Sequence, residues 1–427
     1  MTRLLSRRLI LQSVFAPSRR KPNLIVILAD DLGYGDLSCY GSQYNRTPNI
    51  DALAKGGVRF TDFHSNGAVC SPTRAALAPG RYQQRCGITA VITAAGSRDQ
   101  GLASGQLTFA RVLKNAGYRT AIFGKWHLGY RPEFNPDKHG FDEFRGYVSG
   151  NVDYFSHVDQ AGYADWWHNS KLEPEEGYTT ELITRHGVRF IEENRDHPFC
   201  LYLPFETVHA PYQGPNDKPR RIAGQVRPER DNEDVRPTYR DMIASMDDGI
   251  GKVVSTVKRW GLERDTFVFF CSDNGATKAG SNGICRGWKG QLWEGGHREP
   301  AIAYWPGRIG PARTSAELTI GMDLFPTLLE IAGVDRPRDR KLDGVSFFQH
   351  LSMGETLGER QLFWGHGEQR AVRRGHWKLT LMPGENPFLA DLKADPGEKT
   401  NLAGAQSAVV SQLRDALARW EKDVTPS

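Results

Sequence analysis

Two kinds of apolar pattern alternate along the chain. Short unbroken runs, residues 23–29 (NLIVILA) and 266–271 (TFVFFC), have the character of strands buried on both faces of a parallel sheet. Residues 58–63, 118–123 and 199–205 read as further strands. Between them the spacing becomes helical. Met242, Met246, Ile250, Val253 and Val257 recur every three or four residues and form one apolar face of a helix over 238–260. Thr47-Pro48 opens a short helix, 49–55, stopped by Gly56-Gly57. Ser71-Pro72 reads as the cap and first turn of a helix to Leu77, and helices are also expected over 106–115, 178–194 and 323–332. Strand–helix alternation over about 300 residues predicts an α/β fold: a large doubly wound, mostly parallel sheet with helices on both faces.

The texture changes after about residue 355. Short strands at 361–364, 371–374 and 377–381, then a terminal helix at 406–422, predict a small C-terminal α+β subdomain with an antiparallel sheet. The expected organisation is a leader, 1–20, a main unit, 21–355, and a subdomain, 356–427.

Composition changes this picture little, but the charge distribution does. A net charge of +5 suggests a basic protein, yet residues 1–21 hold Arg3, Arg7, Arg8, Arg19, Arg20 and Lys21 and no acid. Taking that +6 from +5 leaves the body at −1, which gives no support for a nucleic-acid partner. Arg7-Arg8 ahead of Leu9-Ile10-Leu11 resembles a twin-arginine export signal, so a periplasmic or extracellular location is expected; a basic tail on a cytoplasmic protein is the alternative. No segment has the apolar length of a membrane span. Six cysteines in 427 residues are not a disulfide framework, and Cys200 and Cys271 lie within strand-like runs as small buried hydrophobes.

Chemistry gathers where strands end. Asp30-Asp31 follow the first strand, and Asp273-Asn274-Gly275 follow the strand ending at Cys271. In open α/β sheets ligands collect at the carboxyl ends of strands. Three carboxylates and a carboxamide oxygen suit Ca²⁺ or Mg²⁺ and suit Zn²⁺ poorly. Taken singly, each cluster is equally well a turn former.

Cys70-Ser71-Pro72-Thr73-Arg74 has the pattern C-x-P-x-R, and Ala75-Ala76-Leu77-Ala78-Pro79-Gly80-Arg81 follows it. This resembles the signature of the type I sulfatases, formylglycine-dependent members of the alkaline-phosphatase-like superfamily. The stretch 30–36 (DDLGYGD) resembles the family's N-terminal motif, and 117–129 (GYRTAIFGKWHLG) its second signature. The C-terminal stretches FLADL (388–392), DPGE (395–398) and Asn401-Leu402 also resemble sulfatases. The likeness runs from about Lys21 to Leu402.

The resemblance implies a sulfuric ester hydrolase. Cys70 would be oxidised to formylglycine by a maturation enzyme, and the aldehyde hydrate would supply two oxygens on one carbon, one to attack sulfur and one to expel sulfate. One Ca²⁺, with Mg²⁺ as the alternative, would be held by Asp30, Asp31, Asp273, Asn274 and the side chain at position 70. Arg74 would hold the hydrate. Lys125 and Lys289 would neutralise the transferring group. His209 would protonate the leaving oxygen, and His127 would deprotonate the hemiacetal. Asn151, Asp153 and Tyr154 lie in a segment similar to arylsulfatase B-like and N-acetylgalactosamine-sulfatase-like members; with Trp288 and His297 they are candidates for substrate binding. Tyr154, Trp166, Trp167 and Trp288 are equally well core aromatics. Lys218, Arg220, Arg221, Arg227 and Arg230 crowd one loop, either to meet further sulfates or as a solvated basic segment. The expected substrate is a sulfated carbohydrate, with a simple aryl sulfate as the alternative. A phosphatase or phosphodiesterase of the same superfamily is the competing enzyme class, but Asn274 stands where that class is expected to have histidine. A secreted binding protein with an idle site is the non-enzymatic reading, and no signature residue has been lost to favour it.

Overall fold

The computed structural model describes residues 20–226 and 234–425. The expected leader, apart from Arg20, and the loop arginines Arg227 and Arg230 lie outside the described residues.

The first strand, β1 (Asn23–Ala29), shows why the chain builds layers on both sides of a sheet. Its residues are wholly buried and alternate between two cores. Leu24, Val26 and Leu28 face one core, and Ile25, Ile27 and Ala29 face the other. A strand with helices on only one side would show a polar residue at every second position. The main sheet also contains β2 (Val58–His64), β3 (Arg119–Lys125), β4 (Glu143–Tyr147), β5 (Trp167–His168), β6 (Lys171–Leu172), β7 (Phe199–Pro204), β8 (Thr266–Ser272), β9 (Arg298–Tyr304), β10 (Arg313–Ser315) and β11 (Thr319–Ile320). Their order is β10-β2-β9-β8-β1-β7-β3-β4-β5-β6, with β11 also on β2. β1 is flanked in parallel by β7 and β8, and β3 runs parallel to β7 and β4. β9 departs from the expected pattern: it lies antiparallel between β2 and β8. Its sequence REPAIAY begins with two charges and a proline, which concealed it as a strand.

Helices α1 (Pro48–Gly56), α4 (Thr179–Glu193) and α5 (Arg236–Arg259) cover one face; α2 (Cys70–Leu77), α3 (Phe109–Asn115), α7 (Leu324–Ala332) and α8 (Phe348–Met353) cover the other. A one-turn α6 (Glu294–His297) leads directly into β9. Two helix starts differ from the sequence reading. α3 begins at Phe109, three residues later than expected, because Thr108 caps it by accepting from Arg111 N–H. α2 begins at Cys70 itself, and Ser71 is not its cap: its hydroxyl accepts from Ile92 N–H at 3.1 Å.

A second sheet, β12 (Gln361–His366), β13 (Gln369–Arg374), β14 (Trp377–Leu381) and β15 (Phe388–Asp391), is antiparallel throughout. Helix α9 (Ser407–Val424) covers it through Leu413, Leu417 and Trp420. This third core also includes Ala68, Leu292, Ile320 and Met322, so the small sheet is packed onto the main unit beside α2. Among the described residues no helix is long and apolar enough to cross a membrane.

Candidate active site

The parallel pairing of β1 with β8 brings their carboxyl ends together, and with them Asp30, Asp31, Asp273 and Asn274. The register Ala29↔Ser272 places the two acidic segments side by side. Asp273 N–H donates to Ala29 O at 3.1 Å, and Asp31 N–H lies 3.3 Å from Asp273 Oδ1. Asp31 adopts a left-handed backbone, φ 60°, a costly conformation for a non-glycine residue and one that clusters at functional sites. Asn274 Nδ2 donates to Asp31 Oδ1 at 2.7 Å. Its Oδ1 is buried and has no hydrogen-bond partner among the described residues.

Cys70, at the first turn of α2, points into this cluster with Sγ 3.5 Å from Asp30 Oδ1. One ligand atom each from Asp30, Asp31, Cys70 and His209 fall within 4.8 Å of one another. Cations surround the acids. Lys125 Nζ donates to Asp30 Oδ2 at 2.5 Å, and Lys289 Nζ to Asp31 Oδ2 at 2.8 Å. Arg74, one turn along α2, donates through Nε and Nη2 to Asp273 Oδ2 at 3.1 and 2.8 Å and through Nη1 to Lys125 O at 2.9 Å. Its hydrogen bonds in this structure therefore fix Asp273 and the end of β3.

Burial and crowding perturb these groups in different directions. Burial, with Asp30 beside it, raises Asp273 to about 6 in spite of Arg74. Burial likewise raises Asp30 against the pull of Lys125. Asp31 is buried too, but Lys289 and His209 outweigh that and hold it well below the usual carboxylate range. Burial pushes the Cys70 thiol up, yet Lys125 and Lys289 bring it down to about 6. The field at position 70 thus favours an anion.

The two histidines are held in opposite ways. His209 Nδ1 lies 2.6 Å from Ala210 O, which assigns the proton there and leaves Nε2 toward Asp31 Oδ2, 3.7 Å away. Burial and Lys289 lower its proton affinity, but Asp31 and Asp30 raise it further, so it is held above its ordinary value. His127 Nε2 lies 3.0 Å from Ile92 O, and its buried Nδ1 has no partner among the described residues. Burial, then Lys125 and Arg74, keep it well below its ordinary value and neutral.

A cavity of about 140 Å³ opens over Cys70, lined also by His127, His209, Lys289, Asn151, Ser149, Gly150, Tyr130, Thr93, Asp159 and Gln160. Of the five residues expected at the substrate, Asn151 lines this cavity, with a buried Oδ1 that has no partner among the described residues. Trp288, beside Lys289, is 36% exposed. The other three are elsewhere. Asp153 is buried and accepts from the backbone N–H groups of Phe155, Ser156, Arg220 and Arg221, so it ties two loops together. Tyr154 is buried against the Tyr178 ring and donates to His209 O at 3.0 Å; it supports the histidine from behind. His297 is sealed beneath the small sheet, stacked on Trp364 and 3.0 Å from His64. Trp166 is likewise a core residue, stacked on His157. Arg221 is buried and donates to Val158 O at 3.0 Å, so the basic loop is not uniformly solvated.

The sequence reading missed Glu206 and Gly150. Glu206 Oε1 accepts Val152 N–H at 2.8 Å and its carbonyl accepts His209 N–H at 2.8 Å, which fixes both walls of the cavity. Gly150 lies so close to His127 that a Cβ there would sit 2.9 Å from its ring. An acid three residues before His209 was the available signal for the first; the second carried none.

Comparison with known proteins agrees with this geometry. Residues 22–334 match the sulfatase family model, and 287–423 match the model described as N-sulphoglucosamine sulphohydrolase, C-terminal. The chain is 34% identical to N-acetylgalactosamine-6-sulfatase of Mus musculus, covering 95% of this chain and 85% of that protein. It is 34% identical to arylsulfatase A of Homo sapiens, over 94% and 87%. Among solved structures, Ps i-CgsB in complex with k-i-k-neocarrahexaose superposes with a TM-score of 0.85 at 30% identity, covering 96% of this chain and 94% of that one. PsFucS1 sulfatase from Pseudoalteromonas sp. superposes with a TM-score of 0.80 at 26% identity, over 97% and 92%. With its acids at the ends of β1 and β8, its cysteine at the head of α2 and this breadth of likeness, the chain belongs to the sulfatase family and is a sulfuric ester hydrolase.

Proposed function

We propose that this sulfatase desulfates a carbohydrate ester, using a formylglycine made from Cys70 by a separate maturation enzyme and one divalent cation. The observation that carries the reading is the buried Asn274 Oδ1, without a partner among the described residues, on a side chain whose Nδ2 meets Asp31, together with Cys70 Sγ 3.5 Å from Asp30 Oδ1. An orphaned buried acceptor is costly, and a set of hard oxygen donors fits Ca²⁺ or Mg²⁺. Asp30, Asp31, Asp273 and Asn274 would hold that ion, which supplies polarisation of the sulfate oxygens and acidifies the attacking hydroxyl. The formylglycine hydrate supplies two hydroxyls on one carbon, one for attack and one for release.

The remaining roles fall to side chains of the chain itself. Lys125 and Lys289 set positive charge on either side of position 70, where negative charge develops on the transferring group. His209 keeps its Nδ1 proton on Ala210 O and turns Nε2 to the cavity, with acids that favour its charged form; it is the group to protonate the leaving oxygen. His127 is neutral with a free Nδ1 and is the group to accept the hydrate proton. Arg74 holds Asp273 in place. The sugar reading is supported by the relatives: one is named for a 6-sulfated N-acetylgalactosamine, and one solved neighbour is bound to a carrahexaose.

The test is a pair of measurements on metal-loaded protein co-expressed with a maturation enzyme. The mass of the Cys70 peptide should show the thiol replaced by the aldehyde, and sulfate should be released from sulfated sugars with no phosphate released from matched phosphate esters. Full turnover with the thiol intact would overturn the mechanism, and preference for phosphate would overturn the reaction class.

A further inference from the structure

Outside the catalytic cluster, Arg98 is unusual. Its guanidinium carbon lies 5.0 Å from the centroid of Tyr130 and 4.4 Å from that of Tyr163. The residue is half-buried, Nη1 is shielded from solvent, and that nitrogen has no hydrogen-bond partner among the described residues. No acid among the described residues pairs with it. Nearby acids have other partners: Asp99 pairs with Arg131, and Glu133 lies 3.6 Å from the same arginine. Asp159 Oδ1 accepts the N–H groups of Ala161 and Tyr163, and Asp165 accepts those of Val148 and Ser149. Half-burying an unpaired cation is unfavourable, and proteins rarely leave one so without a partner to come.

Its position says where that partner arrives. Tyr130 lines the cavity over Cys70, together with Thr93 and Ala94 from the loop that carries Arg98 and Asp159 and Gln160 from the loop that carries Tyr163. Arg98 therefore joins the two loops of one cavity wall. Tyr163, on its outer side, is 55% exposed, so this clamp stands at the solvent-facing rim. Stacking on the tyrosine faces holds the guanidinium plane, and with Nη1 shielded by the protein it is the Nε–Nη2 edge that fits a sulfate or carboxylate through two parallel hydrogen bonds. The cavity itself, about 140 Å³, has room for the reacting ester and little beyond it.

We propose that Arg98 is a specificity residue that binds a second anionic group on the substrate, a further sulfate or a uronate carboxylate on the sulfated carbohydrate. This rests on the carbohydrate-sulfatase reading above. The substrate is then a polyanionic saccharide, and singly charged esters are poorer substrates.

The test compares three probes: N-acetylgalactosamine 6-sulfate, its 4,6-disulfate, and a disaccharide pairing the 6-sulfated sugar with a uronate. Binding is measured by calorimetry on metal-loaded Cys70→Ala, and kcat/KM on the matured enzyme. The expected result is tighter binding of one or both dianions by five- to tenfold, with Arg98→Gln removing that ratio and Arg98→Lys keeping part of it. Which dianion loses its advantage identifies sulfate or carboxylate as the group bound. A ratio near one in the parent protein, or the same ratio in Arg98→Gln, overturns the proposal while leaving the sulfatase reading intact. No binding and no hydrolysis of any probe overturns the carbohydrate reading, and this inference with it.

Discussion

Among the described residues two buried groups bring together acids, bases and histidines, and by composition either would pass for a metal site. One surrounds Cys70. The other joins the main unit to the small sheet and contains Asp62, His64, Glu294, His297, Arg373, Lys378 and Glu398. In the second, a lysine stands where an ion would go. Lys378 Nζ is 3.0 Å from Glu294, 3.1 Å from Glu398 and 3.1 Å from His297 Nε2. One proton arrangement then satisfies the rings. His297 Nε2 accepts from the ammonium, its Nδ1–H donates to His64 Nδ1 at 3.0 Å, and His64 Nε2–H donates to Asp62, which Arg373 grips from the small sheet. In the Cys70 cluster Lys125 takes Asp30 and Lys289 takes Asp31, and Asn274 Oδ1 is left without a donor among the described residues. Ligand-type residues in proximity do not by themselves make a metal site, and a built-in ammonium between the acids is what sets the second cluster apart from the first.

Breaking each cluster should therefore give opposite phenotypes. The largest effect is on activity: Cys70→Ala should reduce sulfate release to background while shifting the thermal midpoint little, since only a small buried side chain is trimmed. Next in size is Lys378→Met. It leaves Glu294 and Glu398 buried against each other with their ammonium gone, and removing one partner of a buried pair costs about 3–5 kcal/mol. Urea unfolding should show that loss, and the folded fraction should keep its kcat. A large fall in kcat with unchanged stability would mean that the second cluster serves the chemistry directly.

A smaller effect sharpens the comparison inside the catalytic cluster. At Gly150→Ala the new Cβ would press on Cε1 and Nε2 of His127 at 2.9 Å, the nitrogen that holds Ile92 O. Displacing that ring should lower kcat by about 10–100-fold, the usual scale for misplacing a catalytic group by an ångström. Unchanged kcat would remove His127 from the proton-transfer role.

What could be read in advance follows the same division. Asp30-Asp31 and Lys125-x-His127 are short contiguous segments abutting strands, and Cys70-x-Pro-x-Arg74 opens a helix, so sequence placed each on its element, and the β1–β8 register then brought the acids together. The second cluster is assembled from β2, α6 and the small sheet: His64 meets His297 across 233 residues, and Lys378 lies 81 from His297. No local pattern encodes such pairings, and this is why His297 was placed at the substrate. Asp153 and Tyr154 failed for a related reason: a loop residue chosen for its chemistry can spend that chemistry on a neighbouring loop. β9 was hidden because its partners, not its own periodicity, make it a strand.

The smallest effect is one of pH, and its sign follows from burial. Burial lowers the proton affinity of His64 and, more strongly, of His297, where Lys378 adds to it. Each histidine therefore takes up a proton more readily in the unfolded chain. The stability this confers is present above the unfolded value near 6.5 and is lost as pH falls below it. Glu294 acts in the same direction at lower pH: burial opposes its charge, but Lys378, with Arg373, outweighs that and holds it below its ordinary 4.5, so its contribution fades as pH drops beneath that value. The thermal midpoint should thus fall by several degrees between pH 7 and 5, in a protein whose Asp62, Arg373, Arg298 and Glu398 stay paired around the rings. Replacing both histidines with glutamine should flatten that slope, whereas Cys70→Ala should leave it as it is. An unaltered slope in the double variant would place the acid-sensitive step elsewhere, and an altered slope in Cys70→Ala would place it in the catalytic cluster.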